Sequence, residues 1–151
     1  MTPVYKSDQL ITCSVGVQNE EEFFCTFIYA SNGAEERKVL WRDLCDDHSS
    51  PMFRNKAWML MGDFNEILDG EESTGFTNLG RPPCGMRDFQ RIILKCNLSD
   101  MGYQGPLHIW CNKREQGVIC KKLDRGVALI IPLTDFLMGL QGLSQGVALI
   151  T

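Results

Sequence analysis

Apolar and polar positions alternate in two early runs. Residues 9–15, QLITCSV, and 23–30, FFCTFIYA, are rich in β-branched and aromatic side chains, and the polar GVQNEEE lies between them. This pattern predicts a hairpin-like pair or adjacent strands. The period then changes: Leu40, Trp41, Leu44 and Cys45 recur at i, i+1, i+4 and i+5, the spacing of one helix face. Asn32 and Glu35 have the spacing of a capping box at the helix start, and DDHSSP ends the pattern. AWMLM, at 57–61, has the length and continuous apolarity of a strand covered on both faces.

Strand, helix and strand in that order make a βαβ unit, whose crossover sets the two strands parallel and is almost always right-handed. Tyr29 and Asp63 each stand at the C-terminal end of a strand. Both therefore emerge on the same rim of the sheet, where open α/β sheets hold their ligands.

Residues 69–85, DGEESTGFTNLGRPPCG, form a long polar loop with glycine and proline. Its Gly-x-x-x-x-Gly spacing is not a phosphate-binding loop, because Phe76 stands where lysine is needed. Met86, Phe89, Ile93 and Cys96 then follow a second helical period. LSDMGYQGPLHIW (98–110) reads as a turn into a strand and GVICKKLDR (117–125) as another short strand. From Gly126 the character changes to an apolar, Gly-punctuated stretch with GVALI at 126–130 and 146–150. Two copies are too few for a solenoid, and residues 126–151 are expected to be an atypical apolar tail that packs poorly.

At 151 residues with 44% hydrophobic and 23% charged residues, the chain suits one ordinary domain. The N-terminus has no apolar leader and no later segment is long and apolar enough to span a membrane. An intracellular setting, the nucleus included, is the resulting expectation. The seven cysteines are odd in number and none has C-x-x-C spacing, so they read as reduced, packed thiols rather than a zinc site or a complete disulfide framework. Residues 1–75 carry 14 acids against 6 bases, whereas 76–100 carry 4 bases against 2 acids. Phosphate contacts must therefore come from local groups such as Arg81, Arg87, Lys113, Arg114, Lys121, Lys122 and Arg125.

Tyr29, Asp63 and Asn65 are the candidates on one rim, with Asp124 on a later strand. A phenol can donate to a phosphate oxygen, a carboxylate can orient an attacking water or help hold Mg²⁺, and an amide can donate to a non-bridging oxygen as charge builds. A turn made by Gly62, Asp63 and Asn65 accounts for Gly-Asp-x-Asn equally well.

The segments FIYASNGAEERKVLWRDL, WMLMGDFNEIL, GMRDFQ and LSDMGYQGPLHIWCNKREQGVICKKLDR, taken in order, resemble the endonuclease domain of non-LTR (LINE-type) retrotransposons. That family is a branch of the endonuclease/exonuclease/phosphatase superfamily, related to DNase I, and the resemblance covers about residues 3–125. It implies an α/β fold, the DNase I-like four-layer α-β-β-α sandwich, here truncated at both ends, with a partial domain at 1–125 followed by the tail. It also implies Mg²⁺-dependent hydrolysis of a DNA phosphodiester and, in a full-length relative, an accompanying reverse transcriptase domain. Carried onto this chain, it gives Tyr29 a contact to the scissile phosphate, Asp63 the nucleophilic water, Asn65 a hydrogen bond to the phosphate and Asp124 the orientation of a catalytic histidine.

The chain departs from the family's pattern in three places. Nothing before Tyr29 matches its Asn and its metal-binding Glu, no Ser-Asp-His follows, and His108-Ile109-Trp110 replaces an aromatic-Thr-Trp run. His48, in the loop before AWMLM, and His108, on a strand, are the two histidines that remain, and Glu20, Glu21 and Glu22 read as a solvated charge run. The expected function is a retroelement-derived endonuclease-like domain that is catalytically incomplete. The alternatives are a non-catalytic nucleic-acid-binding remnant and a small-molecule phosphatase or phosphodiesterase of the same superfamily.

Overall fold

In the computed structural model, residues 1–77, 80–102, 107–112 and 117–129 are described. Three strands, β1 (Thr2–Lys6), β2 (Leu10–Val15) and β3 (Phe23–Tyr29), pair antiparallel in succession. The helix α1 (Ala34–Ser49) crosses over, and β4 (Trp58–Asp63) returns parallel to β3. After α2 (Cys84–Lys95) come β5 (Ser99–Asp100), β6 (Trp110–Cys111), β7 (Cys120–Lys121) and β8 (Asp124–Leu129). The main sheet has the order β1-β2-β3-β4-β8-β5, and β6 and β7 form a separate two-stranded sheet.

Strand periodicity sorts the side chains onto two faces of this mixed sheet. Thr12, Thr26, Leu60 and Val127 are successive register partners across β2, β3, β4 and β8, and all four are fully buried. The two threonines satisfy each other at 2.9 Å, Trp58 Nε1 donates to Thr26 Oγ1 at 2.8 Å, and Thr12 Oγ1 donates to Asp47 of α1. A buried polar row is tolerated because each hydroxyl has a partner. Both helices lie on this face, with Trp41 of α1 stacked on Phe89 of α2 and Phe89 stacked on Phe64. Each such buried side chain contributes about 1.5–3 kcal/mol relative to exposure.

The expected βαβ unit and both amphipathic helices are present, with Leu40, Trp41 and Leu44 of α1 and Met86 and Phe89 of α2 buried. Several details differ. Asn32 and Glu35 make no capping box: Gly33 is the N-cap without a side-chain bond, and the guanidinium of Arg37 instead takes the carbonyls of Ser31 and Asn32. His48 lies in the last turn of α1 rather than in a loop, stacked 6.4 Å from Trp58. His108 precedes β6 and is not on a strand.

Not every cysteine is a thiol. Cys111 and Cys120 face each other as register partners of β6 and β7 and form a disulfide, a juxtaposition that counting and spacing did not reveal. The strand β8 runs through the expected boundary at 125, and Val127 and Ala128 are core residues. Residues 126–129 are thus part of the sheet. The remainder of the expected tail, 130–151, lies outside the described residues.

Candidate functional site

Gly62 determines how the rim is made. It sits in β4 at φ +132°, and a Cβ there would come within 2.1 Å of the Ile28 carbonyl oxygen on β3. Only glycine allows the two backbones to approach so closely at that dihedral. The next pair in register is Tyr29 with Asp63, and Asp63 is in turn the partner of Asp124 on β8. Register partners share a face, so the phenol and two carboxylates stand in a row across three adjacent strands.

Asn65 is placed beside this row by a tight local turn. Its φ is +51°, a left-handed conformation that Asn tolerates better than most residues, and its backbone N–H donates to Asp63 Oδ1 at 2.8 Å. Its Nδ2 donates to the Ala30 carbonyl at 2.7 Å, and Ala30 N–H donates to the Asp63 carbonyl. The turn reading of Gly-Asp-x-Asn is therefore correct as geometry, and the turn itself ties the ends of β3 and β4 together. Between Asp63 and Asn65, Phe64 is fully buried and its N–H donates to the Leu123 carbonyl, which brings the start of β8 alongside.

Two further groups fix the rim from below. Gln9 is buried, and its amide spends both ends on backbone, accepting from Ser31 N–H at 2.8 Å and donating to the Glu36 carbonyl at 2.9 Å. Arg37 bonds the carbonyls of Ser31 and Asn32 and pairs with Glu66, three residues after Asp63. Neither residue was singled out from the sequence. Arg37 falls in the helical segment and Glu66 in the turn, and no periodicity marks a charge as buried.

Charge at the rim is anionic. Packing around Asp124 raises its carboxyl above the ordinary range, and repulsion from Asp63 adds to this. Two of the bases expected to contact phosphate are committed elsewhere. Arg125 is buried against Glu72 and Asp100 with its guanidinium over the Phe89 ring, and Lys122 lies within 3.7 Å of Glu72 and 3.6 Å of Asp100. These charges anchor the 69–77 loop to β8. Arg81 and Arg87 are exposed, and Lys113 and Arg114 lie outside the described residues.

The donor set also bears on Mg²⁺. Among the described residues no three His, Cys, Asp or Glu side chains converge, and Oδ1 of Asp63 already accepts the Asn65 N–H. Asp63 and Asp124 are register partners, and by themselves they fall short of the oxygen ligands such an ion takes from protein and phosphate. Of the two histidines, His48 packs at the start of β4, roughly 15 Å along the strand from Asp63. His108 has its Nε2 buried without a hydrogen-bond partner among the described residues.

The chain matches no family model, and no curated protein is similar to it in sequence. No helix among the described residues is long and apolar enough to cross a membrane. Among solved structures, the chain is similar to the endonuclease domain of TRAS1, a telomere-specific non-LTR retrotransposon, with a TM-score of 0.51 and 11% identity over 79% of this chain. The chain spans 49% of the length of that domain. The resemblance read from the motifs is thus met in three dimensions: over the half it spans, this chain has the fold of a non-LTR retrotransposon endonuclease domain.

Proposed function

We propose that this chain is a retroelement-derived, endonuclease-like domain whose rim binds a DNA phosphodiester and whose own hydrolytic power is incomplete. The row of Tyr29, Asp63 and Asp124 across β3, β4 and β8, with Asn65 turned in beside it, carries this reading. Tyr29 is exposed and free to donate to a phosphate oxygen, Asn65 retains one amide N–H for a second, and Asp63 orients a water. Asp124 is placed to hold a proton or orient a donor.

The partial endonuclease/exonuclease/phosphatase domain, on this reading, extends through β8 to Leu129, and represents part of a DNase I-like four-layer sandwich. In such an enzyme Mg²⁺ would neutralise developing charge on the phosphate. Asp63 and Asp124 are the residues of this chain best placed to contribute to it. A longer relative would carry the reverse transcriptase.

Salt-dependent binding to a short DNA tests the proposal. A linear fall of log affinity with log salt is expected, together with weaker binding for Tyr29→Phe and Asn65→Ala. Binding that is indifferent to salt and to both substitutions would sink it. A phosphatase acting on small molecules has no specific observation in its favour here.

A further inference from the structure

On the sheet face turned away from the two helices, exposure falls from the rim to the other end. Along β3 it drops from 76% at Tyr29 and 40% at Phe27 to 3% at Cys25 and 8% at Phe23, and along β2 from 38% at Ile11 to 5% at Cys13. Strand alternation puts all six side chains on this face. Cys13, Cys25, Met59 and Ala128 are successive register partners across β2, β3, β4 and β8, and Ala128 is buried as well. We propose that this end of the face is the seat of the chain's own C-terminal segment, residues 130–151, folded back from the end of β8.

A sheet face left to water exposes the side chains on it, as Ile11, Phe27 and Tyr29 are exposed. Cys13, Cys25 and Ala128 are not, yet they have no part in the core cluster that the described residues form beneath the helices. Their cover must lie on the other side of the sheet. Position names the segment that supplies it. The strand β8 ends at Leu129, the register partner of Trp58 at the start of β4, so the chain leaves the sheet at the buried end, with the rim at the opposite one. Strands stand about 4.8 Å apart, so the way from β8 over β4 and β3 to β2 is roughly 15 Å, which an extended chain spans in about five residues. Residues 130–151 are ample for this.

The chemistry of the two partners agrees. Asp135 is the one charged residue in 130–151, and leucine, isoleucine, phenylalanine, methionine, valine and alanine make up more than half of that segment. The row it would cover is apolar too, since burial, with Cys13 alongside, pushes the Cys25 thiol up to about 11 and keeps it neutral. No charge is desolvated when such surfaces meet, and removing them from water is favourable. The segment then stands where the second sheet of a four-layer sandwich would, over one end only, and leaves Ile11, Phe27 and Tyr29 open.

Photo-cross-linking in the full chain tests this, with p-benzoylphenylalanine placed at Val15, half-buried at the covered end, and separately at Tyr29, at the open end. Position 15 should be tied to residues 130–151 of the same chain, and position 29 to them far less. Cross-links from position 15 that reach only a second copy, or that miss 130–151, would overturn the proposal, and so would equal yields from the two positions. Thiol labelling gives a second measure. Phe136→Asp combined with Leu137→Asp should speed labelling of Cys13 and Cys25 on the order of tenfold, while Cys96, buried on the helix face, keeps its rate. Unchanged labelling of Cys13 and Cys25 would overturn the seat. The cross-link replaces no fully buried side chain, so it decides the matter whether or not the charged variant folds.

Discussion

Arg37 Nη2 lies 2.7 Å from Glu66 Oε2, and the same guanidinium bonds the carbonyls of Ser31 and Asn32. One nearly buried side chain on α1 thus joins the segment after β3 to the segment after β4, the two that carry the rim. Removing one partner of a buried pair leaves the other charge uncompensated, at about 3–5 kcal/mol. Arg37→Ala should lose stability of that order in urea denaturation. A loss below about 1 kcal/mol would show that the pair is dispensable.

The rim was readable in the sequence because it follows from two strong periods. FFCTFIYA and AWMLM could only be strands at that length, and the helical spacing of Leu40, Trp41 and Leu44 between them required a crossover, which fixed Tyr29 and Asp63 at one end. Asp124 was a candidate on a later strand, and its place beside Asp63 follows from the pairing of β8 with β4. What stayed hidden depends on pairs distant in sequence. Glu72 and Arg125 are 53 residues apart and Arg37 and Glu66 are 29 apart, and nothing local marks either pair as buried. The edge strand β1 escaped because all five of its residues are exposed and it has no buried face to give a pattern.

Gly62→Ala should be severe. The methyl would have to enter the space of the Ile28 carbonyl at a positive φ that L residues resist. A loss of more than about 2 kcal/mol is expected, since Ala where φ is positive costs more than the roughly 1 kcal/mol of ordinary glycine effects. Gly16→Ala has nothing within 4 Å and should stay within about 0.5 kcal/mol. Thermal melts of the two variants measure the contrast, and equal melting temperatures would refute the close approach.

Burial pushes the Asp47 carboxyl up to about 6, with Asp43 and Asp46 adding to the rise and the Thr12 hydroxyl opposing it. A folded-state pKa above the unfolded value means that the native state binds the proton more tightly. This group's stabilising contribution is therefore full below about 4 and lost as pH rises through about 6. Asp47→Asn should raise the melting temperature at pH 7.5 and leave it nearly unchanged at pH 4. The reverse order would show that the carboxylate is favourable in its charged form.

The Cys111–Cys120 bridge closes the β6–β7 hairpin, which the Ser73–Lys121 bridge and the Thr74 N–H to Cys120 carbonyl bond attach to the 69–77 loop. Its effect should be local. Cys111→Ser should speed amide exchange at Ile109 and Asn112, whose N–H groups bond across the hairpin, while the amides of β3 and β4 keep their protection. Unchanged exchange at both amides would mean that the strand pairing and its attachments to the 69–77 loop hold β6 and β7 together unaided.

Purified with Mg²⁺, this chain should nick supercoiled plasmid at no more than a trace of the rate expected of a complete endonuclease. Asp63 and Asn65 can orient a water and a phosphate oxygen, but hydrolysis also needs developing charge neutralised and a proton moved. No three potential ligands converge among the described residues, and His48 packs against Trp58 at the far end of β4. General acid–base help alone is worth about 10²–10⁴-fold, and losses within one catalytic unit are not additive, so the residual rate is set by positioning. His108 is the residue to examine if the chain proves active. It precedes β6, whose partner strand β7 runs on towards Asp124, and its buried Nε2 lacks a partner among the described residues. Robust Mg²⁺-dependent nicking that disappears in both Asp63→Ala and His108→Ala would show that this histidine serves the site and would overturn the view of an incomplete centre.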